Sequence, residues 1–455
     1  MSKSRIAPTA YRPFLILASM SIGVSLPQSL SSAAQSASSA SPTATSPTTD
    51  VVLQPGIENY VLLQTAPYST CKLHVPGADQ AASTPALFAD EQGTITVQLS
   101  MSGPTKAITS LVMDCQDENS NSTRQSVQVS TGDVPTSNTF SSTSSLIQSW
   151  KSRHAAWPVR QPLAGDPLAK TQDELLQAGY PPRPDPANDP RAYADWLSSV
   201  SQPVIIVPSK GVPDPSRSHA HNSSGNPQMD YYSNNWSGYR VTGDPQGYRT
   251  VYGRWTVPSI VGYETQYEDA ASFWVGIDGS LGDTDCMQAG SQQVSVPLGG
   301  VIATVYNAWT EYVPALMVVL SNLPVVPGYH VYTAVTALNN GSTAMFSVYI
   351  LDSAMNLIAM STSTKGATAP FHGNSAEWIV ERPNYGSSVG LSQFSTVLFT
   401  NAYYTNAGGA QYNYNQSGRP GTLDKVTMHT TQDLTYPFPV AGTTDQFDVA
   451  WLAFR

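Results

Sequence analysis

Two glutamates, Glu377 and Glu381, stand four residues apart in the run SAEWIVE at 375–381. On a strand, residues i and i+4 share a face, so both carboxyls point one way while Ala376, Trp378 and Val380 point the other. Carboxyls gathered on one face suit general acid–base chemistry, in which one side chain takes a proton and later returns it. Only 12% of the 455 residues are Asp, Glu, Lys or Arg, about half the usual ~25%. Two acids in one short strand therefore stand out.

Other chemistries find less support. The chain has no pepsin-like Asp-Thr-Gly or Asp-Ser-Gly and no H-E-x-x-H, which removes the paired-aspartate peptidases and the helix-borne zinc site. Of seven histidines, only His219 and His221 have a metal-like spacing, and they fall in a Pro/Ser-rich stretch. Cys286 with His330 or His372 would make a thiol nucleophile, but a buried structural cysteine is the favoured reading. Net charge is -10 with no Lys/Arg-rich patch, so nucleic acid is not an expected partner. A surface poor in charge and rich in Ser, Thr, Asn, Gln and Tyr has few ion pairs to lose in acid.

The elements that must hold these side chains change along the chain. Lys3, Arg5 and Arg12 precede an apolar run at 13–26, and Ser32-Ala33-Ala34 offers a cleavage site, so residues 1–34 read as an export signal. Residues 35–50, rich in Ser, Thr, Ala and Pro, read as a linker. Short alternating runs from 51 to 145 suggest a small β domain, in which Cys71 and Cys115 could form a disulfide in an oxidising compartment. Residues 146–230 are helical and proline-rich. Asp166-Pro167 through Gly179 reads as one capped helix, and Asp189-Pro190 opens a second. From 231 to 455 the pattern is almost wholly β, in runs whose spacing suggests a large antiparallel sandwich.

Within that last region, Trp274-Val-Gly-Ile-Asp-Gly279, Gln288-Ala-Gly290, Tyr306-Asn-Ala-Trp-Thr-Glu-Tyr312 and the SAEWIVE run follow in order. In order and spacing they resemble the glutamic peptidases, the eqolisins or G1 family. Asn235-Trp-Ser-Gly238 and Thr256-Val-Pro-Ser259 are similar to that family's opening strands. The resemblance covers about residues 232–402 well. It implies a concanavalin-like sandwich of two packed antiparallel sheets and a catalytic pair falling on Gln288 and Glu381. Glu377 would then support the site, with Trp274, Asp278, Trp309 and Glu311 lining or bracing the cleft. The implied substrates are proteins or peptides, hydrolysed in acid by a secreted monomer without cofactor, metal, nucleic acid or membrane.

That pair is chemically sufficient. A glutamate near its ordinary pKa of about 4.3 is ionised enough in mild acid to take a proton from water. A glutamine amide donates at any pH and can meet the oxyanion that forms. The sequence departs from the family pattern at Asn307, where many members carry Asp, and at Tyr312-Val313, where a Trp-Tyr pair is usual. Two other readings compete. A glycoside hydrolase on a lectin-like sandwich would use Glu377 and Glu381, but four strand residues span roughly 13 Å against the about 5–9.5 Å such pairs need, and Ile379 stands where a middle Asp is common. A non-catalytic lectin-like module would have no reason to keep both Gln288 and Glu381. The helical, proline-rich 145–225 stretch reads either as an inhibitory segment over the cleft, cut near 205–232, or as an inert spacer behind a substrate- or wall-binding β domain.

Overall fold

Period-two alternation sets the architecture. In the strand Ser375–Glu381, Ala376, Trp378 and Val380 enter one apolar core, while Glu377 and Glu381 face the other way. The same split runs through Asp269–Asp278, where Phe273, Val275 and Ile277 are core residues. A computed structural model describes residues 48–455 apart from 78–82, 102–108, 134, 188, 215–229, 263–267, 281–282 and 384–388. The export signal, most of the 35–50 linker and the His219/His221 pair lie outside the described residues.

Among the described residues the large sheets are thirteen-, ten- and five-stranded. The centre of the thirteen-stranded sheet runs Trp236–Thr242, Ser375–Glu381, Asp269–Asp278, Cys286–Leu298, Val301–Val313, each antiparallel to its neighbour. Its apolar face packs on the ten-stranded sheet, meeting Val251, Trp255, Val335, Phe346 and Phe399 in one buried cluster. Each such side chain contributes roughly 1.5–3 kcal/mol by leaving water. Trp378 also ties the layers by polar contact, its indole N–H donating to Tyr252 O at 2.6 Å. The two packed sheets are the sandwich that the strand pattern implies.

The stretch 51–145 divides between two sheets. Thr94–Met101 pairs antiparallel with Val301–Val313, and Asn59–Gln64 pairs with Thr94–Met101, so both extend the thirteen-stranded sheet. The remainder forms most of the five-stranded sheet, in which Cys71 lies directly opposite Cys115 and is disulfide-bonded to it. This sheet shares a core with Val296, Leu298, Val301, Ala303 and Val305 of the large sheet. Those five point to the same side as Gln288 and Glu311, because they alternate in phase with them along the strands.

The helical stretch sits elsewhere than expected. Val159–Arg160 and Val204–Ile206 extend the ten-stranded sheet at its edge, and the residues between them pack on its outer face, where Val204 joins Tyr252, Tyr332 and Tyr403. Tyr332 Oη donates to Pro182 O at 3.2 Å, and Arg249 pairs with Asp173 at 2.9 Å. The residues expected to cover the cleft thus lie mostly on the opposite side of the sandwich, because their apolar side chains match an outer face lined by tyrosines. The helix expected over 166–179 is also two pieces. Asp166 caps a 3-10 turn, Pro167–Ala169, and Thr171 then starts a fresh helix, Gln172–Gln177, with a reciprocal capping box to Glu174. A Thr-x-x-Glu box satisfies two backbone donors and so wins a helix start of its own. The helix Pro190–Val200 begins at Asp189, whose side chain accepts from Ala192 N. Among the described residues no helix is long and apolar enough to cross a membrane.

Candidate active site

The face of the thirteen-stranded sheet opposite the sandwich core carries all the acids and amides singled out in the sequence. Cross-strand pairing sets them in rows. Glu381 lies opposite Ser272, which lies opposite Gln292; Glu377 lies opposite Gly276, then Gln288, then Glu311. Gln288 is therefore level with Glu377, and Glu381 is one diagonal further, two strands and four residues away.

Glu381 is held by two N–H donors. Trp274 Nε1 donates to Oε2 at 2.8 Å, and Asn235 Nδ2 reaches Oε1 at 3.4 Å. Asn235 is itself oriented by Ser233, whose Oγ donates to Asn235 Oδ1 at 3.1 Å. Neither Asn235 nor Ser233 stood out as a site residue in the sequence. The only signal was the Asn-Trp pair opening the strand Trp236–Thr242. Trp274 fits between two glycines. A Cβ on Gly290 would come within 2.1 Å of Phe273 O and 2.6 Å of Trp274 Cβ, and one on Gly276 within 2.9 Å of the Trp274 ring. The glycines of the Val-Gly and Gln-x-Gly runs thus make room for the indole that bonds Glu381.

Gln288 donates from Nε2 to Glu311 Oε2 at 2.9 Å, which fixes the plane of its amide. Its Oε1 has no hydrogen-bond partner among the described residues. Glu377 accepts from Ser375 Oγ at 2.9 Å. Burial pushes its carboxyl up to about 8, against the pull of Ser280, Arg240 and Ser375. Glu377 is thus a neutral acid in acidic solution.

Asp278 works at the strand end rather than on the rows. In a left-handed backbone conformation, φ 68°, it accepts backbone N–H bonds from His372, Gly373 and Asn374. Burial pushes its carboxyl up to about 7, while those donors pull it down. His372 is tied to Asp285, whose carboxylate raises the imidazole's pKa. These contacts pin the 372–374 turn that feeds directly into Ser375–Glu381. Trp309 lies opposite Gly290 on the same face. The structure therefore brings Trp274 to Glu381 and Glu311 to Gln288, and puts Asp278 on the turn that leads into the strand carrying both glutamates. Cys286 is buried and reduced, and burial pushes its thiol up, away from thiolate chemistry.

Comparison with known proteins bears on this arrangement. Residues 234–437 match the Peptidase A4 family. Aspergillopepsin-2 of Aspergillus niger is 32% identical over 228 residues, an alignment covering 44% of this chain and 72% of that protein. Among solved structures, scytalido-glutamic peptidase with a peptide-based transition state analog aligns at 21% identity and TM-score 0.36, over 48% of this chain and 98% of that one. Aspergilloglutamic peptidase from Aspergillus niger aligns at 24% identity and TM-score 0.30, over 40% and 99%. The match to aspergillopepsin-2 displaces the glycosidase and lectin readings. This chain belongs to the Peptidase A4 family, the G1 glutamic peptidases or eqolisins, and is a glutamic-type endopeptidase.

Proposed function

We propose that the chain is a secreted, acid-active endopeptidase in which Glu381 is the general base and Gln288 the oxyanion donor. Glu381 takes a proton from water as the water oxygen attacks the scissile carbonyl carbon. The carbonyl oxygen becomes an oxyanion and accepts an N–H from Gln288 Nε2. Glu381 then passes its proton to the leaving nitrogen, the C–N bond breaks, and an acid and an amine depart. The observation that carries this reading is the pair of donors on Glu381, Trp274 and Asn235. These donors hold the Glu381 carboxylate in one orientation, as a base that must take a proton from one placed water requires.

One observation favours a second assignment, with Glu377 as base, because Glu377 is level with Gln288 across Gly276. Its raised pKa counts against it: a carboxyl that keeps its proton to about 8 cannot accept one in acid. Export is supported by the signal-like run at 13–26 and by the Cys71–Cys115 disulfide, a bond that persists in oxidising compartments.

Hydrolysis of a denatured protein by the secreted chain, from about pH 2 to 7, tests the assignment. Glu381→Gln and Gln288→Ala are expected to lower kcat by at least about a thousandfold, and pepstatin-type and thiol inhibitors to leave the wild type untouched. Full activity in Glu381→Gln with loss in Glu377→Gln would transfer the base to Glu377.

A further inference from the structure

Gln288 and Glu381 stand on strands that do not pair with each other. Cys286–Leu298 and Ser375–Glu381 each pair with Asp269–Asp278, which runs between them. A direct link between the two outer strands must cross the end of the middle one, and the structure has such a link. Asp285, immediately before the strand that carries Gln288, pairs with His372, in the turn that leads into the strand carrying Glu381. Asp283 Oδ1 lies 3.8 Å from His372 Nδ1 and accepts from Asn374 Nδ2 at 3.0 Å. Ser280 Oγ donates to Ser375 Oγ at 3.0 Å, and Ser375 Oγ to Glu377 at 2.9 Å.

The two partners differ in exposure. Asp285 is buried, and its Oδ2 has no hydrogen-bond partner among the described residues. His372 reaches solvent, with 39% of its side chain exposed, and so exchanges its proton with water. The hydrogen bond to Asp285 raises the imidazole's pKa above its ordinary 6.5, and the charges of Asp285, Asp283 and Asp278 act in the same direction. Below about pH 6.5 an imidazolium therefore faces the buried carboxylate, and its charge is lost as pH climbs through the raised value. Asp278, pushed up to about 7 by burial, gains charge over the same range. With the cation gone, the acids are left facing one another, and a buried charge without its partner is costly. Tyr312 and Cys286 also face these acids, but burial pushes both up and neither supplies a positive charge. Glu377, reached through Ser375, keeps its proton to about 8.

We infer that Asp285 and His372 are positioning residues: their ion pair staples the Gln288 strand to the Glu381 strand across the one between them, is closed in acid and open above neutral pH, and so sets the alkaline limit of turnover. The inference rests on the reading of Gln288 and Glu381 as the catalytic pair. A carboxylate base and an amide donor do not themselves fail as pH rises, so a loss of turnover toward neutral pH needs another titrating group. A pair whose members sit on separate strands depends on the separation of those strands, and a small misplacement lowers kcat rather than binding.

The test uses the full chain and an internally quenched peptide, with kcat and KM measured from about pH 3 to 8. His372→Ala and Asp285→Asn are each expected to lower kcat at about pH 4 at least about tenfold with KM within about twofold, and the double variant to fall no further than either alone. His372→Arg, whose charge does not titrate, is expected to move the alkaline half-point of kcat up by at least about one pH unit. If Asp285→Asn does not fold by circular dichroism, the exposed histidine's variants decide. Wild-type kcat in folded His372→Ala, or an unmoved half-point in His372→Arg, would overturn the inference and leave the catalytic pair in place. A second arm needs no catalysis. In a Glu381→Gln background, His372→Arg is expected to reduce the fall in Tm between about pH 6.5 and 8 by at least about a third. An unchanged fall would also overturn the inference. The reduced fall with no hydrolysis by any form would leave the staple standing and remove the catalytic reading instead.

Discussion

The hairpin made by Cys286–Leu298 and Val301–Val313 has two ends on one face, and they do opposite things. At one end Gln288 faces Glu311 and Gly290 faces Trp309; at the other Val296 faces Ala303 and Leu298 faces Val301. Strand geometry, backbone pairing and burial are the same throughout. Only the side chains and what packs on them differ: the five-stranded sheet shares a core with the apolar end, while Trp309 at the other end belongs to a separate cluster with Trp236, Trp274 and Phe88. A strand pair is therefore a neutral scaffold, and the layer above it decides which stretch becomes core and which becomes site. The apolar end also shows that the N-terminal layer is part of this fold, since taking it away would expose five buried aliphatic residues.

Substitutions at the two ends should separate stability from turnover. The largest stability effect is expected at the apolar end, where Leu298→Ala should cost about 2–5 kcal/mol of unfolding free energy by denaturant titration, with activity per folded molecule unchanged. At the polar end, Glu311→Gln loosens the hold on the Gln288 amide. A fall in kcat of about 10- to 100-fold with a smaller stability change is expected from steady-state kinetics. A stability loss as large as that of Leu298→Ala, without a kinetic defect, would make Glu311 a core residue and erase the contrast.

A third, smaller effect is pH-dependent. Folded Glu377 keeps its proton to about 8, whereas its ordinary value is 4.5. A raised carboxyl contributes stability that is fully present below the ordinary value and is lost as pH rises toward the folded one. The native chain should thus lose stability between about pH 4.5 and 8, by up to about 1.4 kcal/mol per pH unit. Asp278, pushed up to about 7, adds to the same slope. Glu377→Gln should flatten the decline in Tm across that window. The smallest effect belongs to Arg249→Ala, which breaks the exposed pair with Asp173 on the side remote from the site. It should change stability by less than about 1 kcal/mol and leave turnover alone.

Much of the candidate site's layout was readable because strand alternation is local. Glu377 and Glu381 could be put on one face from spacing alone, and that face is the one that carries Gln288, Glu311 and Trp274. The two donors to Glu381 were not equally visible. Trp274 lies in a recognisable run, whereas Asn235 reaches Glu381 across 146 residues of sequence. The helix over 166–179 misled for a local reason, the second N-cap at Thr171. The placement of 160–206 misled for a non-local one, since an apolar segment does not say which sheet face it will cover.

By itself the sequence determined the strand content, the division of each central strand into an apolar and a polar face, and the acids and amides that share the polar one. These follow from residue type and a period of two, which hold whatever the rest of the chain does. Only the tertiary structure decided that Thr94–Met101 would extend the thirteen-stranded sheet by pairing with Val301–Thr304, that the helical stretch would back the far sheet, and that Phe88 would join the cluster of Trp236, Trp274 and Trp309. Those contacts join segments far apart in the sequence. They are selected by which faces remain uncovered once the sandwich has formed, and an uncovered face belongs to an assembled sheet rather than to any one strand.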